Sequence, residues 1–171
     1  MKAHTAGFTL VELLVAVGII GVLASVSMVS VNSIRVKARD SKRISDIKQV
    51  QNALEAYYSS NNLYPSATVA VATGLGSANF DVLCNSGAGF VADTTDASCS
   101  GANGVLYMAR INENPGPGGT KYKYTPAAGN TGYTINFVLE TATGSFEAGC
   151  YSATPDGMTR TGAGDNAACT T

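Results

Sequence analysis

The chain has 171 residues, enough for one globular domain plus an additional element. Charged residues are only 13%, Gly is abundant at 19 and Trp is absent; small and polar residues fill most of the second half, which reads as a loop-rich β domain. The net charge of −1 conceals a split. Residues 32–56 carry six basic side chains against three acidic, a balance of +3, and residues 57–171 carry four against eight, a balance of −4. A nucleic-acid-binding domain should be basic, so the acidic C-terminal part argues against nucleic acid as a partner.

The N-terminus carries the most information. Residues 1–7 read MKAHTAG, and the next 24, Phe8 to Val31, carry one charge, Glu12. A helix of that length spans about 36 Å, enough to cross a ~30 Å hydrocarbon core. Three readings compete. A secretory signal peptide needs a short apolar region and a small-x-small site; Ala24 and Ser25 are small, but the apolar run continues through Met28 and Val31. A plain signal anchor would place the basic segment 35–48 in the cytoplasm, in conflict with disulfides formed outside it. The third reading is a leader cut immediately after Gly7.

Glu12 separates them. A carboxylate inside a membrane helix costs about 2.5–3.5 kcal/mol, so it is a functional-site hypothesis by default. A plain anchor has no use for it, and a signal peptide avoids it. Cleavage before Phe8 creates a free α-amino group four residues upstream, which gives Glu12 a partner.

A short basic leader ending in Gly7, then F-T-L-V-E-L-L-V-A-V-G-I-I-G-V-L-A, resembles the class III signal of type IV pilins and type II secretion pseudopilins. The resemblance covers residues 1–65. It implies a membrane peptidase that cuts between Gly7 and Phe8 and N-methylates Phe8. It also implies that the Glu12 carboxylate pairs with the Phe8 amine of a neighbouring subunit. Opposite charges in hydrocarbon attract strongly and each is costly alone, so the pair sets the axial register between subunits. The chain departs from many family members in lacking a Pro about three turns beyond the Glu; Val29 occupies that neighbourhood.

The apolar run passes into an amphipathic segment. Ile34, Ala38, Ile44, Ile47, Val50, Leu54 and Tyr57 recur at helical spacing, with charged residues assigned to the other face. No Gly or Pro occurs between positions 22 and 64, so one helix is expected over 8–59, ended by Asn61, Asn62 and Pro65. Tyr64-Pro65 is again similar to the family's turn. Residues 66–104 read as a connector with a short helix near 77–84.

Val105–Ile111 fits a strand or a short helix. Lys121–Thr125, Tyr133–Glu140 and Phe146–Tyr151 read as strands, with Tyr133, Ile135, Phe137 and Leu139 on one face and turns at Gly129-Asn130 and Thr143-Gly144. The tail 152–171 reads as an exposed loop. The expected fold is α+β and pilin-like: a long helix, half membrane and half amphipathic, packed on an antiparallel sheet of three to four strands. The expected divisions are a leader (1–7), a membrane and filament-core half of the helix (8–31), an amphipathic half (32–59) and a head (60–171).

Cysteines lie at 84, 99, 150 and 169, without C-x-x-C and without a partnering His, which disfavours zinc. An even count behind a membrane-targeting start points to disulfides. Three pairings are possible. Nearest-neighbour closure, Cys84–Cys99 and Cys150–Cys169, is the expected one, each loop worth roughly 3 kcal/mol on a chain-entropy account. Asp156, Asp165 and Asn166 offer oxygen ligands for calcium, yet their spacing matches no calcium loop, and no metal or other cofactor is expected.

The only His is His4, inside the leader, so a processed chain has no His for nucleophilic or metal chemistry. The expected role is mechanical. The resemblance implies a subunit that spans the membrane once before assembly and polymerises with copies of itself into a cell-surface filament. Its partners would be a prepilin peptidase and an assembly machinery. The alternatives are a pseudopilin of a secretion piston and a minor pilin binding a surface or DNA.

Overall fold

The computed structural model describes residues 7–66, 74–77, 80–85, 89–92, 99, 104–116, 121–162 and 169, with residues 26–30 described in backbone only. The chain divides into two compact units, Met1–Val36 and Lys37–Thr171. One helix, α1 (Leu10–Asn61), contributes to both. It matches the expected helix to within two residues at each end. Asn62 stops it by taking a left-handed conformation at φ 55° and donating its N–H to the Tyr58 carbonyl at 2.7 Å, which satisfies one of the last open carbonyls.

Among the described residues of the second unit seven strands follow: β1 (Val82–Cys84), β2 (Phe90–Val91), β3 (Leu106–Met108), β4 (Lys123–Pro126), β5 (Tyr133–Leu139), β6 (Gly149–Thr154) and β7 (Gly157–Gly162). They form two antiparallel sheets, β2-β1-β3 and β4-β5-β6-β7. With the helix this is an α+β fold. β5 is the centre of the larger sheet, pairing Ile135 with Tyr124 on one side and Phe137 with Tyr151 on the other. Its alternation is the expected one: Tyr133, Ile135, Phe137 and Leu139 are all buried.

Against that face lie Ile47, Val50, Ala53, Leu54 and Tyr57 of α1 in one core. Burying such side chains is the dominant favourable term in folding, about 1.5–3 kcal/mol each. Edge-to-face ring contacts extend the core: Tyr57 with Tyr107 at 5.3 Å, Tyr64 with Tyr133 at 4.9 Å and Phe90 with Tyr124 at 5.0 Å. The last ties the small sheet to the large one. Gly89 permits that approach: at φ +78° a Cβ there would collide with the Pro65 ring.

Four expectations are corrected. Residues 82–84 form strand β1 rather than the end of a short helix. Val82, Leu83 and Cys84 are all buried, and paired strands let a short apolar run bury side chains on both faces. The strand expected at Phe146–Tyr151 begins at Gly149; Phe146 instead closes a turn by bridging to Thr143, and its ring packs on Tyr151. The tail from 152 is not a loop as far as Gly162. β6 continues to Thr154 and returns as β7 through Thr154-Pro155-Asp156-Gly157, where Pro presets the first turn dihedral and Gly157 takes φ 134°.

The fourth correction concerns the charged face of α1. Asp40, Arg43 and Asp46 are buried, at 0%, 1% and 4% exposure, whereas Ile34 and Ala38 are exposed. The Asp40 carboxylate accepts the Glu140 N–H at 3.0 Å and the Thr141 N–H at 2.8 Å. Arg43 donates to Asp40 at 2.5 Å, Asn114 Oδ1 at 2.7 Å and the Pro115 carbonyl at 2.8 Å, and pairs with Glu140 at 2.6 Å. Arg39 also donates to Glu140, and that bond, ahead of any other influence, holds the Glu140 carboxyl below the usual carboxylate range. Asp46 accepts from Asn112 Nδ2 at 3.0 Å. These partners satisfy charges that would otherwise be prohibitive to bury.

Both expected disulfides are present, Cys84–Cys99 and Cys150–Cys169, with Cα separations of 5.3 and 5.6 Å.

Asp40→Ala should leave Arg43 and two backbone N–H groups short of a partner. It is expected to destabilise the full chain in detergent by about 3–5 kcal/mol in denaturant unfolding, against about 1 kcal/mol or less for the control Lys42→Ala at an exposed position of the same helix. A second expectation concerns alkaline pH. Burial, and then the hydrogen bond to Glu55, push the Tyr64 hydroxyl from 10.0 up to about 12. The unfolded chain therefore releases this proton first, so the contribution is complete below pH 10 and is lost as pH rises from 10 through about 12. The denaturant midpoint should fall over that window, and Tyr64→Phe should make the fall shallower.

Candidate assembly and processing site

The first unit places the expected processing residues at the head of α1. Gly7, Phe8 and Thr9 precede the helix and are exposed, Phe8 to 85%. An uncovered Gly-Phe bond outside the helix is what a peptidase needs to reach. Residues 1–6 of the expected leader lie outside the described residues.

Glu12 is in the first turn of α1. Its carboxylate Oε2 accepts the Thr9 N–H at 2.9 Å and the Thr9 hydroxyl at 2.7 Å. The Glu12 N–H in turn donates to Thr9 Oγ1 at 3.3 Å. This reciprocal arrangement is a capping box, with Thr9 as N-cap and Glu12 three positions on. It satisfies helix-end donors and puts a negative charge at the positive end of the helix dipole. Thr9 was absent from the expected site residues; its signal was the Thr-x-x-Glu spacing just before an apolar run.

The side chains that follow are uncovered on all sides of the helix. Leu10, Val11, Leu14, Ile20, Val22 and Leu23 are each more than 60% exposed. A helix that is apolar all round is one that another apolar environment covers. The apolar run of the sequence, 8–31, includes residues 26–30, whose side chains lie outside the described residues. Among the described residues no helix is long and apolar enough to cross a membrane.

Of the candidate calcium residues only Asp156 is among the described residues. Asp156 sits in the β6–β7 turn and is exposed, while Asp165 and Asn166 lie outside the described residues. Among the described residues no group of three or more His, Cys, Asp or Glu side chains is placed to hold a metal ion.

Comparison with known proteins bears on the same end of the chain. Residues 2–28 match the family model described as the prokaryotic N-terminal methylation motif. The chain is 40% identical over 65 residues to the type II secretion system core protein G of Aeromonas hydrophila, covering 38% of this chain and 46% of that protein. It is 43% identical over 60 residues to the proteins of the same name from Pectobacterium carotovorum subsp. carotovorum, covering 35% of this chain and 38% of that protein, and from Escherichia coli K12, covering 35% and 41%. The chain thus spans less than half the length of these curated relatives. No solved structure matches it. A methylation motif leading into a long helix, that helix packed on antiparallel sheets, and similarity over part of the chain to type II secretion system core proteins G support the type IV pilin and type II secretion pseudopilin family.

Proposed function

We propose that the chain is a structural subunit of a type IV pilus-like extracellular filament, cut between Gly7 and Phe8, N-methylated on Phe8, and polymerised through α1. The observation that carries this reading is the start of that helix: apolar side chains exposed all round it, with a single carboxylate in its first turn. Lipid covers those side chains before assembly, and the helices of neighbouring subunits cover them afterwards. Because the exchange replaces one apolar cover with another, it has little driving force of its own, and an assembly motor must supply the work of extraction.

Glu12 directs the exchange. In the free subunit both Thr9 bonds converge on Oε2, which leaves Oε1 to receive the Phe8 ammonium of a neighbour. The Thr9 cap lets the carboxylate wait in an apolar setting with part of its hydrogen-bonding capacity met. Docking adds the opposite charge, which is strongly attractive where water is excluded. The role is mechanical rather than catalytic. The relatives' name, type II secretion system core protein G, favours a second reading in which the same polymer is a short pseudopilus of a secretion machine.

Glu12→Ala should leave cleavage after Gly7 intact and reduce sheared filaments by about tenfold or more. Intact mass checks the first part: residues 8–171 plus one methyl group. Electron microscopy of the sheared fraction checks the second, and wild-type filament yield from the variant would defeat the docking role. Processed wild-type protein confined to the membrane fraction would favour the pseudopilus.

A further inference from the structure

The larger sheet has a second face. Along β5 and β6, Ile135, Phe137, Tyr151 and Ala153 enter the core that α1 covers. Asn136 and Ser152 alternate with them and so project on the side away from the helix. That side holds a cavity of about 320 Å³. Its lining includes Asn136, Ser152, Thr161, Gly162 and the disulfide partners Cys150 and Cys169.

Three local features make the cavity. Asn136 and Ser152 lie opposite each other on neighbouring strands, and the Ser152 hydroxyl donates to Asn136 Oδ1 at 2.7 Å. That bond orients the amide: its oxygen is engaged, its Nδ2 group keeps two donors, and the Ser152 oxygen keeps its lone pairs. Next, β6 and β7 shift register. Tyr151 is opposite Arg160 and Cys150 is opposite Gly162, which leaves Thr161 without a partner on β6. A bulge of this kind interrupts the ladder and re-aims a side chain, and the neighbouring Gly162 has no side chain to fill the space. Finally, the Cys150–Cys169 disulfide supplies an apolar wall.

This lining selects a kind of ligand. Among the described residues no charged side chain lines the cavity, so an ion gains no counter-charge there. The groups on offer are neutral: amide donors, and hydroxyls that both donate and accept. The hydroxyls of a sugar also donate and accept, and its ring carbons present an apolar face. The volume is at the lower end of small-molecule sites, which suits one ring-sized unit better than a length of peptide. We propose that this cavity binds a neutral sugar residue, held by Asn136, Ser152 and Thr161 against the Cys150–Cys169 disulfide. A site built to hydrogen-bond a hydroxyl discriminates strongly against ligands that leave its polar groups unpaired. The site lies on a single chain and needs no polymer.

The test uses the full chain in dodecylphosphocholine, a detergent without a sugar headgroup. The probes are the methyl glycosides of mannose, galactose and N-acetylglucosamine, read by saturation-transfer difference NMR. At least one should receive saturation, and its affinity should fall about tenfold in Asn136→Asp. That substitution keeps the side-chain shape and the acceptor for Ser152 but removes both amide donors. Thr161→Val should lower the same affinity by about threefold or more. Both disulfides and the denaturant midpoint are checked in each variant, which separates lost binding from lost folding. Saturation of none of the glycosides would overturn the proposal. So would equal affinity in the wild-type and Asn136→Asp chains. Stronger saturation of tetraglycine amide than of any glycoside would also overturn it, and would assign the cavity to peptide. No arm involves polymerisation, so the outcome is independent of the filament reading.

Discussion

The Asp40 carboxylate is the contact on which the arrangement of the larger unit turns. It has no exposure and accepts from two consecutive backbone N–H groups just beyond β5, while Arg43 holds it from its own helix. A buried ion pair contributes little net stability against a well-packed apolar pair, because desolvation opposes the attraction. Its effect is selective. Only one rotation and one axial position of the helix bring Asp40 to residues 140–141 and Arg43 to Asn114 and Pro115, whereas the apolar stripe from Ile47 to Tyr57 would tolerate small slips. The polar end specifies the seat, and the apolar end supplies most of the driving force.

The first unit works under a different constraint. Its apolar side chains are exposed all round the helix, so it has no core of its own and depends on whatever surrounds it. The capping box of Thr9 and Glu12 is its main polar feature, and a local one: it closes within one helical turn and needs no partner from elsewhere. That independence would suit the proposed passage from lipid to protein, because the helix end is satisfied whichever neighbour is present. The carboxylate that caps the helix is also the one charge in the apolar run, so in the proposed assembly a single residue would serve helix stability and subunit docking.

Burial also redistributes charge. The alternating acids and bases of residues 37–48 look balanced in sequence, yet the acids turn inward and the lysines stay outside. Surface charge on this helix is therefore a product of packing rather than of composition.

What the sequence determined by itself was local and periodic. The apolar run, the Gly7-Phe8 step, the helix over most of its length and the alternation of β5 all follow from neighbours within a turn or a strand. The Thr-x-x-Glu cap and the Pro155-Asp156-Gly157 turn were legible in the same way, although only the structure drew attention to them. The disulfide pairing was expected from sequence proximity among three possibilities, and the structure has that pairing. Tertiary structure alone decided the burial of Asp40, Arg43 and Asp46. Their partners, Asn112, Asn114, Glu140 and Thr141, lie some 66–101 residues away, and no helical period reports a partner at that distance. It also decided that Val82–Cys84 is a strand. A three-residue apolar run carries no usable period, and its state was set by the strands of residues 90–91 and 106–108 that came to lie beside it.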